Sequence, residues 1–539
     1  MPTRRAICNA LVLWFQKSGY SAARLLDILV SNQTIRVRNP ATMEFVGEVS
    51  IDSSAEVASA IARARQAQAE WQARSFEDRA KALRRFRDLL IDQQDRLADI
   101  VTSETGKPRA DVFGNELFYV CDAIGFWTKS AEKWLKHRKI RPHLLKVKKV
   151  LSTYQPLGLV GIISPWNFPL VLTAGDAVPA LMAGNAVIIK PSELTPFTAL
   201  FVAELAQKTG FPDNLLQVVI GGAETGEALV DNVDMISFTG SVEVGKHVMR
   251  RAADRLIPVS LELGGKDPMI VLKDADLERA ANACVWGALL NCGQVCTSIE
   301  RVYVEEPIYR MFVGKVVDRV RQLRQGRSGD EVELGSMSSE EQLKKVIAQV
   351  DDAVSKGATI LTGGQVNPSF PGFFYEPTVL VNVTHDMSII QDETFGPVIP
   401  IMKVNNADEA LRLANDSRYG LDAIVFSRDR IKARQMAQSL YTGTVCINDG
   451  LVNYVIPEAP MGGVKDSGFS RRHGPEGIRK YCYHKTIVID RFGLKKEMPW
   501  FPSSRKKTAQ MRRLISLLWR SGWRNKLAGP GNSASRSNP

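Results

Sequence analysis

An α/β protein of two or more domains is the fold class this sequence predicts, and three observations predict it. Short apolar runs alternate with helical stretches, and the alternation is repeated in a second series after Gly264-Gly265. In addition, 539 residues with 45% hydrophobic content exceed what one simple core accommodates.

From Ile35 a short strand leads into ASAIARARQAQAEWQARS and FEDRAKALRRFRDLLIDQQDRLADIVTSETGK. Their apolar residues recur at three and four, the spacing of amphipathic helices. Apolar runs at 162–163, 186–189, 216–220 and 235–238 are then separated by helical stretches, the pattern of a parallel sheet with crossover helices. The second series runs PMIVL, helical ADLERAANACVWGALL, ERVYVEE, a helix over 309–324, and strands near Thr359 and Pro377. KYCYHKTIVIDR, residues 480–491, alternates like an exposed strand.

Residues 156–175 carry no charge and are long enough to span a membrane. Pro156, Pro165 and Pro169 interrupt them and Trp166-Asn167 is polar at mid-depth, so short buried strands joined by a turn are expected, in a soluble, cytoplasmic body. The first thirty-odd residues hold an apolar run, 10–15, too short to span and without a cleavage site; it reads as a surface helix or an overextended start.

The formal charge of +12 does not point to nucleic acid. After Glu497 there is no acid, and nine basic residues from Arg505 to Arg536 supply most of the excess. The other basic stretch, 133–149, has no interleaved aromatic beyond Trp134 and reads as a solvated face. Seven cysteines without a CxxC pair fit free thiols in a reducing compartment, and the six scattered histidines show no ligand spacing, so no metal is expected.

Chemistry begins at GQVCT, where Cys296 follows what reads as a strand-to-helix junction. A thiol there needs only modest electrostatic help to ionise and act as a nucleophile. Glu262 in LELGGK stands in an apolar setting ahead of two glycines that permit close backbone approach, which suits a general base with a raised pKa. Asn167 in SPWNFP sits in a proline-bracketed turn that holds its amide as a candidate oxyanion donor. Each residue alone has an ordinary structural explanation: a packed thiol, a surface carboxylate, a turn amide.

They occur together with KPSELTP (190–196), FTGSVEVG (238–245), ETFGPV (393–398) and PMGGVKDSG (460–468). In this set the chain resembles the aldehyde dehydrogenase superfamily over roughly residues 35–492. The resemblance implies an aldehyde dehydrogenase-like fold. An atypical Rossmann NAD-binding domain would span 35–133 and 155–263, and an α/β catalytic domain 264–478. A small oligomerisation strand element would comprise 134–154 and 479–492, flanked by an N-terminal extension, 1–34, and a basic tail, 493–539.

It further implies that Cys296 attacks the aldehyde carbon while the Asn167 amide and the Cys296 backbone N–H stabilise the oxyanion. Hydride leaves for nicotinamide, and Glu262 activates the water that hydrolyses the thioester. Relatives that pass the acyl group to coenzyme A lack this glutamate. For the cofactor, Lys190 and Glu193 match ribose contacts, Trp166, Gly240, Ser241 and Gly245 the pyrophosphate region, and Glu393 and Phe395 the nicotinamide end. A carboxylate at Glu193 repels a 2′-phosphate, so NAD is expected in preference to NADP. A homodimer or homotetramer is expected.

The overall sequence, SRRHGPEG (470–477) included, looks closest to succinate-semialdehyde dehydrogenases. Members that oxidise that substrate hold its carboxylate with arginines where this chain has Leu290 and Gly175, which makes medium or long apolar and aromatic aldehydes the competing substrates. In the tail, Met511, Leu514, Ile515, Leu518 and Trp519 share one helical face ringed by arginines, a pattern suited to peripheral contact with a membrane surface; a docking helix on a neighbouring subunit is the alternative. Two other classes fit less of the motif set: a non-catalytic scaffold, against which Cys296, Glu262 and Asn167 speak, and a thiol ester hydrolase, against which the cofactor residues speak.

Overall fold

The computed structural model describes residues 34–520 apart from 328 and 330, so nearly all of the N-terminal extension and residues 521–539 of the tail lie outside the described residues. The chain divides into two compact units.

The first unit takes in the described residues up to Lys136 and Thr153–Lys485. It opens with an antiparallel hairpin, β1 (Thr34–Arg38) and β2 (Phe45–Ser50), followed by the helices Ser54–Ala73, Phe76–Asp92, Gln94–Thr105 and Phe118–Leu135. Ser53 and Glu56 form a reciprocal capping box at the first helix, and Val57, Ala60, Ile61, Ala64, Ala67 and Trp71 make its buried stripe. Two short strands, β3 (Arg138–Ile140) and β4 (Lys148–Pro156), precede the first large sheet.

That sheet contains β5 (Leu159–Ile163), β6 (Ala186–Lys190), β7 (Leu216–Val218), β8 (Met235–Thr239) and β9 (Val259–Glu262), all parallel. Their order is β9-β8-β5-β6-β7, so the chain leaves β5 toward one edge and later crosses to β8 on its other side. A crevice opens at such a reversal, outside the carboxyl ends of the two central strands. Residues 156–175 differ from expectation after β5. A single strand forms, and the residues beyond Pro169 enter a wide turn, Val171–Gly175, and then the helix Asp176–Met182. Glu116 Oε2 accepts the N–H groups of Leu170 (2.8 Å) and Val171 (3.3 Å), and every residue of this segment is buried, Thr173 and Asp176 included. Among the described residues no helix is long and apolar enough to cross a membrane.

The second large sheet holds β10 (Asp267–Val271), β11 (Ile299–Glu305), β12 (Thr359–Thr362), β13 (Thr378–Val381), β14 (Val398–Val404), β15 (Ile424–Phe426) and β16 (Cys446–Ile447). Only the edge strand β12 is antiparallel. Met269 and Val271 face one core and Ile270 and Leu272 the other, which is why PMIVL is apolar without alternation. β17 (Gly468–Phe469) returns to pair antiparallel with β9 in the first sheet, setting Gly468 opposite Glu262. The six described cysteines are all free.

The second unit comprises residues 137–152 and those from 486 onward. β18 (Cys482–Asp490), β4 and β3 form a three-stranded sheet in that order. Lys148 Nζ bridges Asp490 (2.6 Å) and Glu497. The tail forms the helix Arg505–Trp519, capped by Ser504 and with no buried residue.

Candidate active site

The crevice at the sheet reversal is lined by the residues just beyond each central strand: Trp166 and Asn167 after β5, Gly240 and Ser241 after β8. Ser241 caps the helix Val242–Ala253. The cavity there has a volume of about 210 Å³, and Glu262, Cys296, Glu393 and Phe395 stand in its wall together with Gln342 and Lys345. Trp166 and Phe395 meet edge-on at 5.6 Å. Lys190 and Glu193 stand at the carboxyl end of β6, outside this wall and joined by a 3.2 Å ion pair. Gly245 does not line the cavity; a Cβ there would come within 2.5 Å of Leu263, so it packs its helix against β9's continuation.

The loop that presents Cys296 corrects one expectation. It runs from the helix Leu277–Leu289 into β11, a helix-to-strand junction, not the reverse. Within it Asn291, Cys292 and Gly293 are successively left-handed, with φ of 49°, 55° and 71°. Non-glycine residues in this region cost on the order of 1 kcal/mol each. Side chains hold them there: Asn291 Nδ2 donates to the Asn167 carbonyl (3.0 Å), Gln294 Nε2 to Asn291 O (2.9 Å), the Ser338 N–H to Gln294 Oε1 (2.9 Å), and the Cys292 thiol to Gly335 O (3.1 Å). The two glycines of LELGGK admit the loop. A Cβ on Gly265 would lie 2.3 Å from the Cys296 carbonyl oxygen, and one on Gly264 would lie 2.6 Å from Glu393, whose carboxylate accepts the Gly265 N–H at 3.0 Å.

Asn167 is clamped from both sides. Buried Lys107 donates to its carbonyl and to Glu116 (both 2.8 Å), and Glu116 in turn takes the N–H groups of Leu170 and Val171. The Asn167 amide nitrogen donates to Gln294 O at 2.9 Å, leaving its second hydrogen for another acceptor, while Oδ1 has no partner.

Glu262 ends β9 with its carboxyl buried and Oε1 unpartnered. Burial pushes it up to about 7, against the pull of Arg472 and Lys480. The raised value expected from its setting is therefore found. The thiol behaves differently from expectation: burial pushes Cys296 up to about 12, Glu262, Asp267 and Glu393 add to the rise, and Arg472 opposes it. The local electrostatic help read from the sequence is outweighed by desolvation and three carboxylates.

A second cavity of about 70 Å³ lies against Cys296, Asn167 and Leu172, which also belong to the first. Its other walls are Asn115, Phe168, Val171, Trp286, Leu290, Val295, Thr297, Leu451, Tyr454 and Val455, and none is charged. It shares Asn115, Trp286 and Leu290 with a further space of about 630 Å³. Gly175 lines neither and packs beside the Tyr119 ring. Sequence reasoning missed Arg472, Asp176, Tyr454 and Lys480, which surround Glu262 and the thiol electrostatically. The adjacent arginines of SRRHGPEG were the signal that could have found the first of them.

A family model described as the aldehyde dehydrogenase family matches residues 29–487. A Mycobacterium tuberculosis protein provisionally named succinate-semialdehyde dehydrogenase, NADP(+), 2 is 43% identical over 446 residues, covering 82% of this chain and 86% of its own. A 4,4'-diapolycopene aldehyde oxidase from a Methylomonas species is 38% identical over 480 residues, covering 87% and 88%. The crystal structure of Mycobacterium tuberculosis aldehyde dehydrogenase complexed with NAD+ superposes with a TM-score of 0.82 at 34% identity, over 86% of this chain and 94% of that one.

Proposed function

Because the chain belongs to the aldehyde dehydrogenase family, we propose that it oxidises an apolar aldehyde to its carboxylic acid with NAD, and the observation that carries the substrate class is the uncharged cavity over Cys296. A carboxylate brought into that cavity finds no basic partner in its wall and forgoes charge-assisted hydrogen bonds of about 1.5–3 kcal/mol each. An aliphatic or conjugated chain instead gains about 0.8 kcal/mol per buried methylene, nearly fourfold in kcat/KM. The neighbouring space beyond Trp286 and Leu290 offers length, with Asp111, Arg319 and Glu333 also in its wall, and the relative named for a diapolycopene aldehyde supports a long apolar substrate. The name of the mycobacterial relative favours succinate semialdehyde as the second reading.

In this mechanism Cys296 Sγ adds to the aldehyde carbon, and the free hydrogen of the Asn167 amide, fixed through Gln294 and Lys107, meets the oxyanion with the Cys296 N–H. Lys107, paired with Glu116, holds the Asn167 backbone carbonyl, and the bond to Gln294 O keeps the side-chain amide from turning away. After oxidation the acyl group is a thioester on Cys296, and Glu262 takes the proton of the attacking water. A carboxyl held near 7 is ionised often enough to act as a base at neutral pH.

The crevice fits a nicotinamide dinucleotide, which accepts the hydride when bound. Asn167 Oδ1 and Glu262 Oε1 are buried polar atoms without a protein partner on its wall. Trp166, Gly240 and Ser241 would hold the pyrophosphate, Glu393 and Phe395 the nicotinamide end, and Lys190 and Glu193 the adenosine ribose. The Glu193 carboxylate, 44% exposed, supports NAD over NADP, although the mycobacterial relative is named for NADP.

Residues 134–154 and 479–492 we assign to association into a homodimer or homotetramer, on the exposed Ile487, Val488 and Ile489 of β18. Absorbance of the reduced nicotinamide with succinate semialdehyde, benzaldehyde and C6 to C12 aldehydes tests the substrate class. We expect kcat/KM to climb with chain length; a preference for succinate semialdehyde overturns the apolar reading.

A further inference from the structure

Behind the proposed nucleophile and base lies a buried cation to which the mechanism assigns no role. Arg472, between β17 and the helix Gly474–Arg479, is 6% exposed. Its guanidinium donates to Asp176 Oδ2 (2.9 Å), to the Tyr454 hydroxyl (2.9 Å) and to Thr239 Oγ1. Tyr454 lines the uncharged cavity, Thr239 lines the cofactor-side cavity, and Cys296 lines both. The Arg472 N–H also donates to Met461 O (2.8 Å), and the adjoining Gly462 stands so close to Glu262 that a Cβ would lie 2.7 Å from Oε1. The guanidinium is thus fixed directly behind one residue of each cavity wall, and Thr239 is the register partner of Glu262 where β8 and β9 end. Its planar fork of five donors explains how one side chain holds three partners at once.

We propose that Arg472 is the counter-charge of the site, supporting negative charge first on the Cys296 sulfur and then on the Glu262 carboxylate, with Asp176 setting how much of its charge is left for them. This rests on the reading of Cys296 as nucleophile and Glu262 as base.

The surrounding charges define the need. Around the thiol stand Glu262, Asp267 and Glu393, all opposing a thiolate, against Arg472. Around Glu262, Arg472, Lys480 and Arg471 favour ionisation and Asp176 opposes it. Lys480 is held on Ser260 Oγ (2.9 Å), and His473, beside Arg472 in sequence, is engaged with the Tyr119 hydroxyl (2.8 Å) and kept neutral by burial and by the Arg472 and Lys480 charges. Arg472 is the group common to both reacting side chains that favours their ionised forms.

Two substitutions push in opposite directions. Arg472→Gln removes the cation, whereas Asp176→Asn keeps an acceptor for the guanidinium and removes the charge that competes for it. The first readout is the rate of Cys296 alkylation by iodoacetamide at pH 8, followed on the Cys296 peptide by mass spectrometry. The second is the pH midpoint of steady-state NADH formation. We expect alkylation about tenfold slower in Arg472→Gln, the effect of one pH unit on the thiolate fraction, and faster in Asp176→Asn. The turnover midpoint should rise in the first and fall in the second, and Arg472→Lys should restore alkylation to within about threefold of wild type. A purely structural pair would move both variants the same way, so shifts of equal sign, or none, overturn the proposal. Should Arg472→Gln fail to fold, a slower or unchanged alkylation rate in Asp176→Asn overturns it alone. Turnover retained in Cys296→Ala would instead defeat the underlying mechanism while leaving the alkylation comparison intact.

Discussion

Glu262→Gln should separate the two half-reactions and stabilise the protein at the same time. The substitution keeps shape and removes one ionisation. Glu262 has its ordinary value of 4.5 raised to about 7 by burial, and each pH unit corresponds to 1.36 kcal/mol, so holding the ionised carboxylate costs the folded state on the order of 3 kcal/mol. The sign comes from proton counting: between 4.5 and 7 the folded protein binds more protons than the unfolded chain, so stability from this group falls as pH rises through that window. Below the window the carboxyl is neutral in both states and the glutamine brings no advantage; above it the full gain is present.

Chemical denaturation of wild type and variant at pH 4.5 and pH 8 reads this directly. In the stopped flow, the variant should give a burst of NADH near one equivalent per site, then turnover slower by about 10²–10⁴-fold, the usual contribution of a positioned base. A missing burst shows that Glu262 also serves the thiol, which a thiol held at about 12 makes a pointed question. Equal stabilities at pH 8 would refute the claim that burial raises the carboxyl.

Cys296→Ala should abolish NADH formation while NAD binding, followed by fluorescence titration, persists. Cys292→Ala should retain catalysis but melt earlier, because its thiol bonds Gly335 O from a left-handed residue; a loss of about 1 kcal/mol is expected. Leu290→Arg places a cation in the uncharged wall and should raise kcat/KM for succinate semialdehyde at least tenfold while lowering it for decanal; no change would remove Leu290 from the substrate path. Glu193→Ala should narrow the NAD-to-NADP preference at least tenfold in kinetics at fixed ionic strength.

Local pattern was enough where the structure depends on neighbours in sequence. The three-four spacing of 58–75 and 76–107 is helical as expected, although the second stretch divides at Gln93 into Phe76–Asp92 and Gln94–Thr105, and the apolar runs at 186–189 and 235–238 are strands. It failed at 170–175, where an apolar stretch reads equally as strand or buried helix, and Glu116, remote in sequence, supplies the acceptor that caps a helical path. It also failed at Cys292, whose type, unlike that of Asn291, does not signal a left-handed backbone; the contact with Gly335 holds it there.

By itself, the sequence determined the alternation that makes an α/β fold, the order of the motifs, and the identities of Cys296, Glu262 and Asn167 as the reactive candidates. The tertiary structure alone decided what those groups are able to do. The Cys296 thiol is pushed up because Glu262, Asp267 and Glu393 gather around it from separate strands and loops, Arg472 opposes them from another, and the cavity over the sulfur is uncharged because distant segments contribute its wall. Charge, burial and cavity shape depend on distances through space, and residues remote in the chain set those distances only once the sheets have assembled.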